Sequence, residues 1–236
     1  MNDAVFSAYQ ALEARMKMVD IIANNMANVQ TSGFKRDFGQ VLQETTEQGS
    51  SSIEVYSKVD LGPGELVSTG NELDVAIDGP GYFAVETDNG LRYTRNGSFM
   101  VSKDGELVMK DGIRVLSNGD APIQVGRGRI SIQDTGDVLV DGNSVATLKL
   151  VDFSDPGLLK KEGLFRLEWT GDDFDVVDVL EPRVKSGHLE KSNVNSITEM
   201  VALMSAFREF ESVAQTLKTI TGDMDKQMLA ELADLS

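Results

Sequence analysis

Few side chains in this sequence could do chemistry, and His188 is considered first because it is the only histidine. It lies in "SGHLEKSN", with no cysteine or second histidine to share a metal ion, so we expect an exposed loop residue. Asp134-Thr135-Gly136 matches the short motif of aspartic proteases, but those enzymes need two such aspartates that share a proton. Only one copy is present, and the surrounding "QDTGDVLVDG" is typical of a turn between strands.

A cluster of carboxylates, Asp172, Asp173, Asp175 and Asp178, would attract a hard cation such as calcium. Its spacing does not match an EF-hand loop, so we expect a loop and the exposed face of a strand instead. The absence of cysteine excludes disulfides, thiolate zinc sites and a cysteine nucleophile. No nucleophile is accompanied by a base, and no phosphate-binding glycine loop is present. We therefore predict no enzyme, no cofactor and no bound metal.

The composition indicates a folded, acidic protein. Apolar residues make up 41% and charged residues 25% of the 236 positions, which is ordinary for a folded chain. The net charge of -16 repels nucleic acid, which is therefore not an expected partner. No apolar run reaches membrane-spanning length, and the N-terminus lacks the pattern of a secretory signal. We expect either a cytosolic protein or one that is exported without a cleaved signal.

Both ends of the sequence carry a hydrophobic seam, meaning apolar residues spaced by three and four positions on one helix face. The first seam predicts a helix, and because no proline or glycine interrupts residues 1–32, Gly33 is expected as its C-cap. The second predicts a helix capped by Asn195 or by the Ser196–Glu199 capping box, which is either continuous or broken near Gly222. The seams are Val5, Tyr9, Leu12, Met16, Val19, Ala23 and Met26, and then Met200, Leu203, Phe207, Phe210, Ala214, Leu217, Thr221, Met224 and Met228.

The middle of the sequence consists of short β-rich runs separated by turn signals. Asn-Gly occurs at 89, 96 and 118 and Asp-Gly at 78, 104, 111 and 141, and both pairs favour two-residue turns. Runs such as "ELDVAI" and "GYFAVET" lie between them and predict strands. Residues 38–52 are polar and weakly patterned, so a flexible connection is expected there.

These patterns predict a mixed α+β fold, in which the N- and C-terminal helices pair as a coiled coil and an antiparallel all-β body lies between them. Neither helix has a place in the β body, so we expect the seams to bury against each other and against copies in neighbouring subunits. The predicted domains are a terminal helical domain (1–33 with 196–236), a connecting segment (34–69), a β domain (70–185) and a return linker (186–195).

Three asparagines, Asn24, Asn25 and Asn28, interrupt the first helix pattern in "ANNMANVQTSGFKRD". Asparagine is unfavourable inside a helix because its amide competes for backbone groups. One interpretation is a fraying helix end. The other is a patch of amides that bonds to neighbouring helices and fixes their register, as a buried asparagine does in coiled coils. On the second interpretation, leucine at these positions should keep helicity but impair ordered assembly.

Three blocks of the sequence together resemble the bacterial flagellar basal-body rod and hook proteins. They are "ANNMANVQTSGFKRD", "GNELDVAIDGPGYFAVETDNGLRYTRNGSFMVSKDGELVMKDG" at 70–112, and "SGHLEKSNVNSITEMVALMSAFREFE" at 186–211. The blocks lie in the family's order and cover well over half the chain. The length and "GLFRL" at 163–167 favour a proximal-rod member, with a distal-rod member as the close alternative. The hook protein carries a further large domain for which this chain has no room.

The resemblance implies a structural subunit that stacks helically into the rod and transmits motor torque to the hook. It implies export through the flagellar type III apparatus, and partners that are copies of itself and neighbouring rod subunits, without nucleic acid or a small-molecule substrate. The terminal helices would form an inner tube and would fold fully only on docking. The competing class is a free-standing secreted β-domain binding module, whose helices would form a stable hairpin in a monomer.

The expected assembly residues come from the two seams and from the first and third blocks. None of them is predicted to do chemistry. They are Leu12, Met16, Val19, Asn24, Asn25, Met26, Asn28, Thr31, Gly33, Phe34, Leu189, Ser192, Asn193, Val194, Asn195, Met200, Leu203, Phe207, Phe210 and Leu217.

Overall fold

The computed structural model of the chain describes residues 2–45 and 51–234, with side chains described for residues 5–42, 53–172 and 174–222. In this part of the chain a long helix lies at each end and short strands lie between, which confirms the predicted mixed α+β fold. None of the described helices is long and apolar enough to cross a membrane. The elements are α1 (Asn2–Ala27), β1 (Asp37–Thr45), β2 (Ser51–Val59), β3 (Leu66–Ser68), β4 (Val75–Ile77), β5 (Tyr82–Thr87), β6 (Gly90–Thr94), β7 (Phe99–Val101), β8 (Leu107–Met109), β9 (Arg114–Val115), β10 (Ile130–Ile132), β11 (Asp137–Val140), β12 (Asn143–Thr147), β13 (Leu150–Phe153), η1 (Pro156–Leu158), β14 (Leu159–Glu162), β15 (Arg166–Trp169), η2 (Asp173–Asp175), β16 (Val176–Asp178), β17 (Val184–Ser186), β18 (His188–Glu190) and α2 (Ser196–Asp234), where η marks a short 3-10 helix.

The chain divides into two compact units, each built from separate stretches of sequence. Unit 1 takes the described residues of Met1–Ala27, Asp37–Lys58 and Asn195–Ser236, so it holds both long helices and the β1–β2 pair. Unit 2 takes Asn28–Arg36 and Val59–Val194 and holds strands β3 to β18. The residues that follow α1 therefore fold with the strands.

The N-terminal helix is shorter than its pattern predicts. α1 ends at Ala27, and Asn28 lies in a turn where its carbonyl accepts a hydrogen bond from Thr31 N at 3.1 Å. The predicted patch of three amides on one helix is therefore wrong for Asn28. Gly33 has the positive φ of a C-cap, +69°, but it lies well beyond the helix end, so the predicted cap is also wrong. The asparagine side chains bond outside the helix instead, Asn25 to the backbone of Asp37 and Asn28 to the hydroxyl of Thr31, which is consistent with the early end.

The C-terminal helix begins at a side-chain cap. Asn195 Oδ1 accepts hydrogen bonds from the backbone N–H groups of Ile197 at 3.0 Å and Thr198 at 3.1 Å, which selects Asn195 from the two predicted caps. α2 then passes Gly222 without a break and ends at Asp234. Its 39 residues span about 58 Å at about 1.5 Å per residue. The side chains of Met224 and Met228 lie outside the described residues.

Strands occupy the segment that was expected to be a flexible connection. β1 and β2 pair as a two-stranded sheet, so that expectation is wrong for 38–45 and 51–52, while 46–50 lie outside the described residues. The polar composition hid the strands because a pair of strands exposed on one side needs few apolar residues. β1 packs on α1, where a Cβ at Gly39 would overlap the side chain of Met18. Glycine thus permits close contact between strand and helix.

The strands of unit 2 form an antiparallel body, as predicted. Its largest sheet runs β14-β15-β6-β5, and β5 continues on its far side both to β13-β16 and to β9-β8-β7. The predicted Asp-Gly turn at 141 joins β11 to β12, where Asp141 and Gly142 have φ values of 50° and 84°. The core lies against this sheet and contains Phe83 and Phe99, whose rings are 5.2 Å apart, together with Leu107 and Leu148.

Candidate assembly site

α1 and α2 pack against each other in unit 1, and two contacts give their direction. Arg15 Nη1 lies 2.7 Å from Glu209 Oε2, and Asn25 Nδ2 lies 3.3 Å from Glu199 Oε2. The contacts advance along α1 while they go back along α2, so the two helices are antiparallel. The Arg15–Glu209 ion pair is about half exposed, so it contributes at most about 1 kcal/mol.

The packing inside unit 1 buries mainly small side chains. Among its described side chains, the buried hydrophobic ones are Ala14 and Ala206. Each offers a single methyl group, worth about 0.8 kcal/mol of transfer free energy. A hollow of about 230 Å³ remains beside Ala14, lined also by Met18, Val41 and Ile53. Hydrophobic packing within one copy is therefore a weak source of stability for this unit.

Asn25 supplies the specific polar contacts of unit 1. Its side chain is fully buried, and it donates to Asp37 O at 2.6 Å and accepts from Asp37 N at 2.9 Å. The same amide donates to Glu199 Oε2, which is also fully buried. One amide therefore joins the end of α1, the start of β1 and the first turn of α2. Its contacts lie within a single chain, whereas Asn24 next to it is exposed.

The surface of unit 1 carries many exposed large hydrophobic side chains. Soluble monomers rarely expose large apolar patches unless another molecule covers them. Their exposed fractions run from 37% at Phe38 to 75% at Ile197. The set comprises Phe6, Tyr9 and Met16 on α1, Phe38, Val41, Leu42 and Tyr56 on β1 and β2, and Ile197, Met200, Val201, Met204 and Phe207 on α2.

The predicted seam residues fall into two groups in the structure. Some are exposed to solvent and the others are partly buried. Each seam therefore lies only partly in the contact between the two helices. The exposed members include Met16, Met200 and Phe207, and the partly buried members include Leu12, Val19, Met26, Leu203, Phe210 and Leu217.

Unit 2 contains a buried ion cluster of Lys35, Arg95 and Glu190. Lys35 Nζ lies 2.6 Å from Glu190 Oε1, and Arg95 Nη1 lies 3.3 Å from Glu190 Oε2. Their side chains are 3%, 7% and 1% exposed, so all three charges are removed from water. Such a cluster is tolerated only when its members are hydrogen-bonded as well as paired.

Backbone groups add further bonds to the buried ion cluster, although Arg95 Nε has no hydrogen-bond partner among the described residues. Lys35 Nζ also donates to Gly62 O at 2.8 Å, and Glu190 Oε1 accepts from Gly64 N at 3.0 Å. Arg95 Nη2 donates to Gly79 O at 2.9 Å. Burial lowers the pKa of the Lys35 ammonium although the Glu190 carboxylate opposes that shift. The cluster therefore depends on all of its bonds rather than on one attraction.

The segment from Thr31 to Phe34 is fixed by close packing in unit 2. Gly33 N donates to Glu190 O at 2.8 Å, and a Cβ at Gly33 would overlap the backbone of Asn96. Only glycine therefore fits here, both for its positive φ and for the lack of space. Phe34 is fully buried, with Lys161 Nζ 3.6 Å from the centre of its ring.

The predicted residues of the third block hold the same region. Asn193 Oδ1 accepts from Arg36 N at 2.7 Å, while its Nδ2 donates to Asp60 O at 2.9 Å and Gly62 O at 3.1 Å. Ser192 and Val194 are buried beside it, and Leu189 is partly buried in β18. These residues bind their own chain, so their effect on assembly would be indirect.

Lys35, Arg95 and Glu190 were not predicted as site residues from the sequence. Each lies inside a quoted block, but Lys35 and Glu190 are 155 positions apart and no local spacing pairs them. Of the chemically interesting residues, His188 Nδ1 lies 2.9 Å from Ser186 O, and Asp134 O accepts from Val184 N at 2.9 Å. In the described part of the chain, no histidine or carboxylate group is arranged to hold a metal ion.

Three protein-family models match the chain. A model described as "Flagella basal body rod protein" matches residues 7–35, one described as "Flagellar hook protein FlgE/F/G D1 domain" matches 76–140, and one described as "Flagellar basal body rod FlgEFG protein C-terminal" matches 185–231. The first and third cover most of α1 and α2, and the second covers the centre of unit 2. Lys35 and Glu190 each lie within a matched segment.

Full-length relatives agree with these matches. The chain is 35% identical over 234 residues to the flagellar basal-body rod protein FlgF of Rhizobium meliloti (strain 1021), with 96% of each chain covered. It is 29% identical over 249 residues to the FlgF protein of Caulobacter vibrioides, with both chains fully covered. It is also 29% identical over 270 residues to the FlgG protein of Bacillus subtilis (strain 168), across 100% of this chain and 99% of that protein. The chain thus belongs to the flagellar basal-body rod protein family.

Proposed function

We propose that this chain is a structural subunit of the bacterial flagellar basal-body rod, and that copies associate through unit 1 to form part of the shaft between motor and hook. The observation that supports this most directly is the set of exposed apolar side chains on α1, α2, β1 and β2. A role in stacking gives those side chains a partner, because neighbouring copies would bury them.

The pairing of α1 and α2 as a coiled coil between and within copies remains part of this proposal. The antiparallel packing of the helices and the exposed halves of both seams support it. Heterologous contacts between successive copies give an open helical polymer rather than a closed ring. Torque would then pass through many packed side chains, which suits a structural rather than a catalytic role.

The proposed neighbours are other copies and adjacent rod proteins, and export would use the flagellar type III apparatus. A proximal position is favoured by the match to FlgF relatives over almost the whole chain. A distal position is the second candidate, because a FlgG relative also matches at full length. Microscopy of basal bodies from a deletion strain separates the two, since building should stop at the proximal or at the distal rod.

Removal of residues 1–30 tests the proposed function itself. The truncated chain should fail to restore motility in a deletion strain, while the β strands of unit 2 stay folded and Trp169 keeps its native fluorescence. A free-standing binding module with a site in its strands would keep its activity after the same truncation. Restored motility in the truncated strain would exclude assembly through α1.

A further inference from the structure

Two strands mark opposite ends of one continuous run of six strands in unit 2. The pairings give the order β14-β15-β6-β5-β13-β16, because Phe83 pairs with Thr94 on one side and Leu150 on the other. Among the described strands, β14 pairs only with β15 and β16 only with β13. Both are therefore edge strands, about 24 Å apart at a strand spacing of about 4.8 Å.

The edge at β16, here the acidic edge, is the segment 172–181. Its sequence, "DDFDVVDVLE", contains five acidic and no basic residues. Phe174 is 98% exposed and Leu180 is 93% exposed, and Val177 between them is 54% exposed. An apolar side chain held almost wholly in water has no packing role within its own chain.

The backbone that presents these side chains is well anchored. Asp172 O accepts from Trp169 Nε1 at 3.0 Å and from Asp175 N at 3.1 Å. Asp175 O accepts from Ser154 N at 3.1 Å, and Val179 N donates to Leu150 O at 2.9 Å. The exposure of Phe174 and Leu180 is thus fixed by hydrogen bonds on both sides of β16.

The edge at β14, here the basic edge, is the segment 158–164. Lys160 is exposed, and the exposed Leu158 and Leu164 lie on either side of it, at 39% and 48%. The one acidic residue of the segment, Glu162, is neutralised by an ion pair with Arg92, which lowers the pKa of its carboxyl. The basic edge therefore combines apolar side chains with a positive charge.

We propose that the acidic edge of one copy binds the basic edge of the next, so that the strands of unit 2 form a second, head-to-tail contact between copies. The proposal rests on the proposed function, because it assumes that copies assemble. Apolar side chains and opposite charges match across the two edges, and pairing would bury Phe174 and Leu180. Two acidic edges repel each other, so a symmetric contact is disfavoured and the contact stays open to further copies.

Charged side chains also protect edge strands from unwanted pairing, and this is the competing explanation for the acidic edge. It does not account for Phe174 and Leu180, because protection alone would place polar residues at both positions. The two explanations differ in whether the edges meet in assembled protein, which cross-linking can measure.

The chain has no cysteine, so any thiol cross-link between copies must come from the cysteines that are introduced. A full-length variant with Leu158→Cys and Leu180→Cys, produced in a deletion strain and treated with a short thiol-reactive cross-linker, should give a ladder of dimers, trimers and longer species. Equal amounts of the two single variants in one strain should give dimers only. The matched control combines Leu180→Cys with Met100→Cys, an exposed side chain on β7, the terminal strand of the other branch, and should give no ladder.

Lys160→Glu added to the double-cysteine variant should remove the ladder, whereas Lys110→Glu, at an exposed lysine outside both edges, should not. A ladder no stronger than that of the Met100 control would overturn the proposal. So would dimers formed by the Leu180→Cys variant alone, or cross-links only to a different rod protein. If the strain swims but forms no ladder, the edge contact is excluded and the proposed rod function stands.

Discussion

Unit 2 keeps its large apolar side chains inside, and unit 1 keeps many of its own outside. In unit 2, Phe83, Leu107 and Leu148 are fully buried in one core. In unit 1, the buried hydrophobic residues with described side chains are two alanines, while Met204 and Phe207 are about half exposed. The two units therefore obtain their stability in different ways, although one chain passes between them several times.

A free copy therefore has a well-packed hydrophobic core in unit 2 but not in unit 1. Unit 2 has its own core of fully buried large side chains, so we expect it to keep its fold without unit 1. Unit 1 relies on long helices, a two-stranded sheet and one buried amide, which are marginal in isolation. Assembly through unit 1 would then add the burial that a single copy lacks. Substitutions in the two units should separate stability from assembly.

The largest effect on stability is expected from Glu190→Ala in unit 2. Its loss leaves Lys35 and Arg95 buried without their carboxylate, which should cost about 3–5 kcal/mol. The only tryptophan, Trp169, lies in unit 2, so its fluorescence during urea unfolding reports this unit. Glu65→Ala is the control, because Glu65 is 76% exposed and pairs with Lys191 at 3.6 Å. An equal loss in both variants would contradict a special role for burial.

A smaller effect is expected from Asn25→Leu in unit 1. The change removes three hydrogen bonds and should lower the unfolding free energy of this unit by about 3 kcal/mol. Helical circular dichroism reports it, because α1 and α2 both belong to unit 1. Asn24→Leu should leave the helical signal unchanged or slightly raised, since Asn24 is exposed and leucine is the better helix former. An equal loss of unfolding free energy in Asn25→Leu and Asn24→Leu would show that the effect comes from the position in the helix and not from the burial of Asn25.

A pH-dependent effect should be confined to unit 2. Burial raises the pKa of Tyr82 to about 12, so the neutral phenol is favoured in the folded state. This preference for the neutral phenol stabilises the folded state fully below about pH 10. The free energy of unfolding then falls by about 1.4 kcal/mol per pH unit as the pH rises toward about 12. Tyr82→Phe removes this dependence, so the urea midpoint of the wild type should fall relative to that of the variant above about pH 10. A constant difference at every pH would refute the assigned cause.

The sequence predicted the helices and the strand-rich centre because both follow from local periodicity and turn chemistry. Asp141-Gly142 needs only its two residues to form a turn, and Asn195 caps α2 through neighbouring N–H groups. The end of α1 was placed wrongly because no proline or glycine occurs before Gly33, whereas the backbone already enters a turn after Ala27. Local sequence patterns alone do not show where tertiary contacts become more favourable than another turn of helix.

The buried polar residues were harder to predict. Phe34 and Gly33 were singled out by motif, but their burial follows from contacts with Asn96, Lys161 and Glu190, which lie far along the chain. Glu199 fitted a capping box, and its contact with Asn25 spans 174 positions. A single sequence carries no spacing rule for such pairs, so these residues emerge only from the fold.

The smallest effect on stability is expected from Phe207→Ser. This variant also tests most directly whether the exposed apolar surface of unit 1 differs in role from that of unit 2. Phe207 is 48% exposed on α2, so the change should shift unfolding of the free chain by no more than about 0.5–1 kcal/mol. If neighbouring copies bury this side chain, the same variant should lose motility in a deletion strain. Met100→Ser is the matched control, since Met100 is 44% exposed on unit 2 and lies outside the proposed contacts. Loss of motility in both variants would remove the distinction between the two surfaces, and normal motility with Phe207→Ser would mean that exposed residues of α2 do not form the assembly contact.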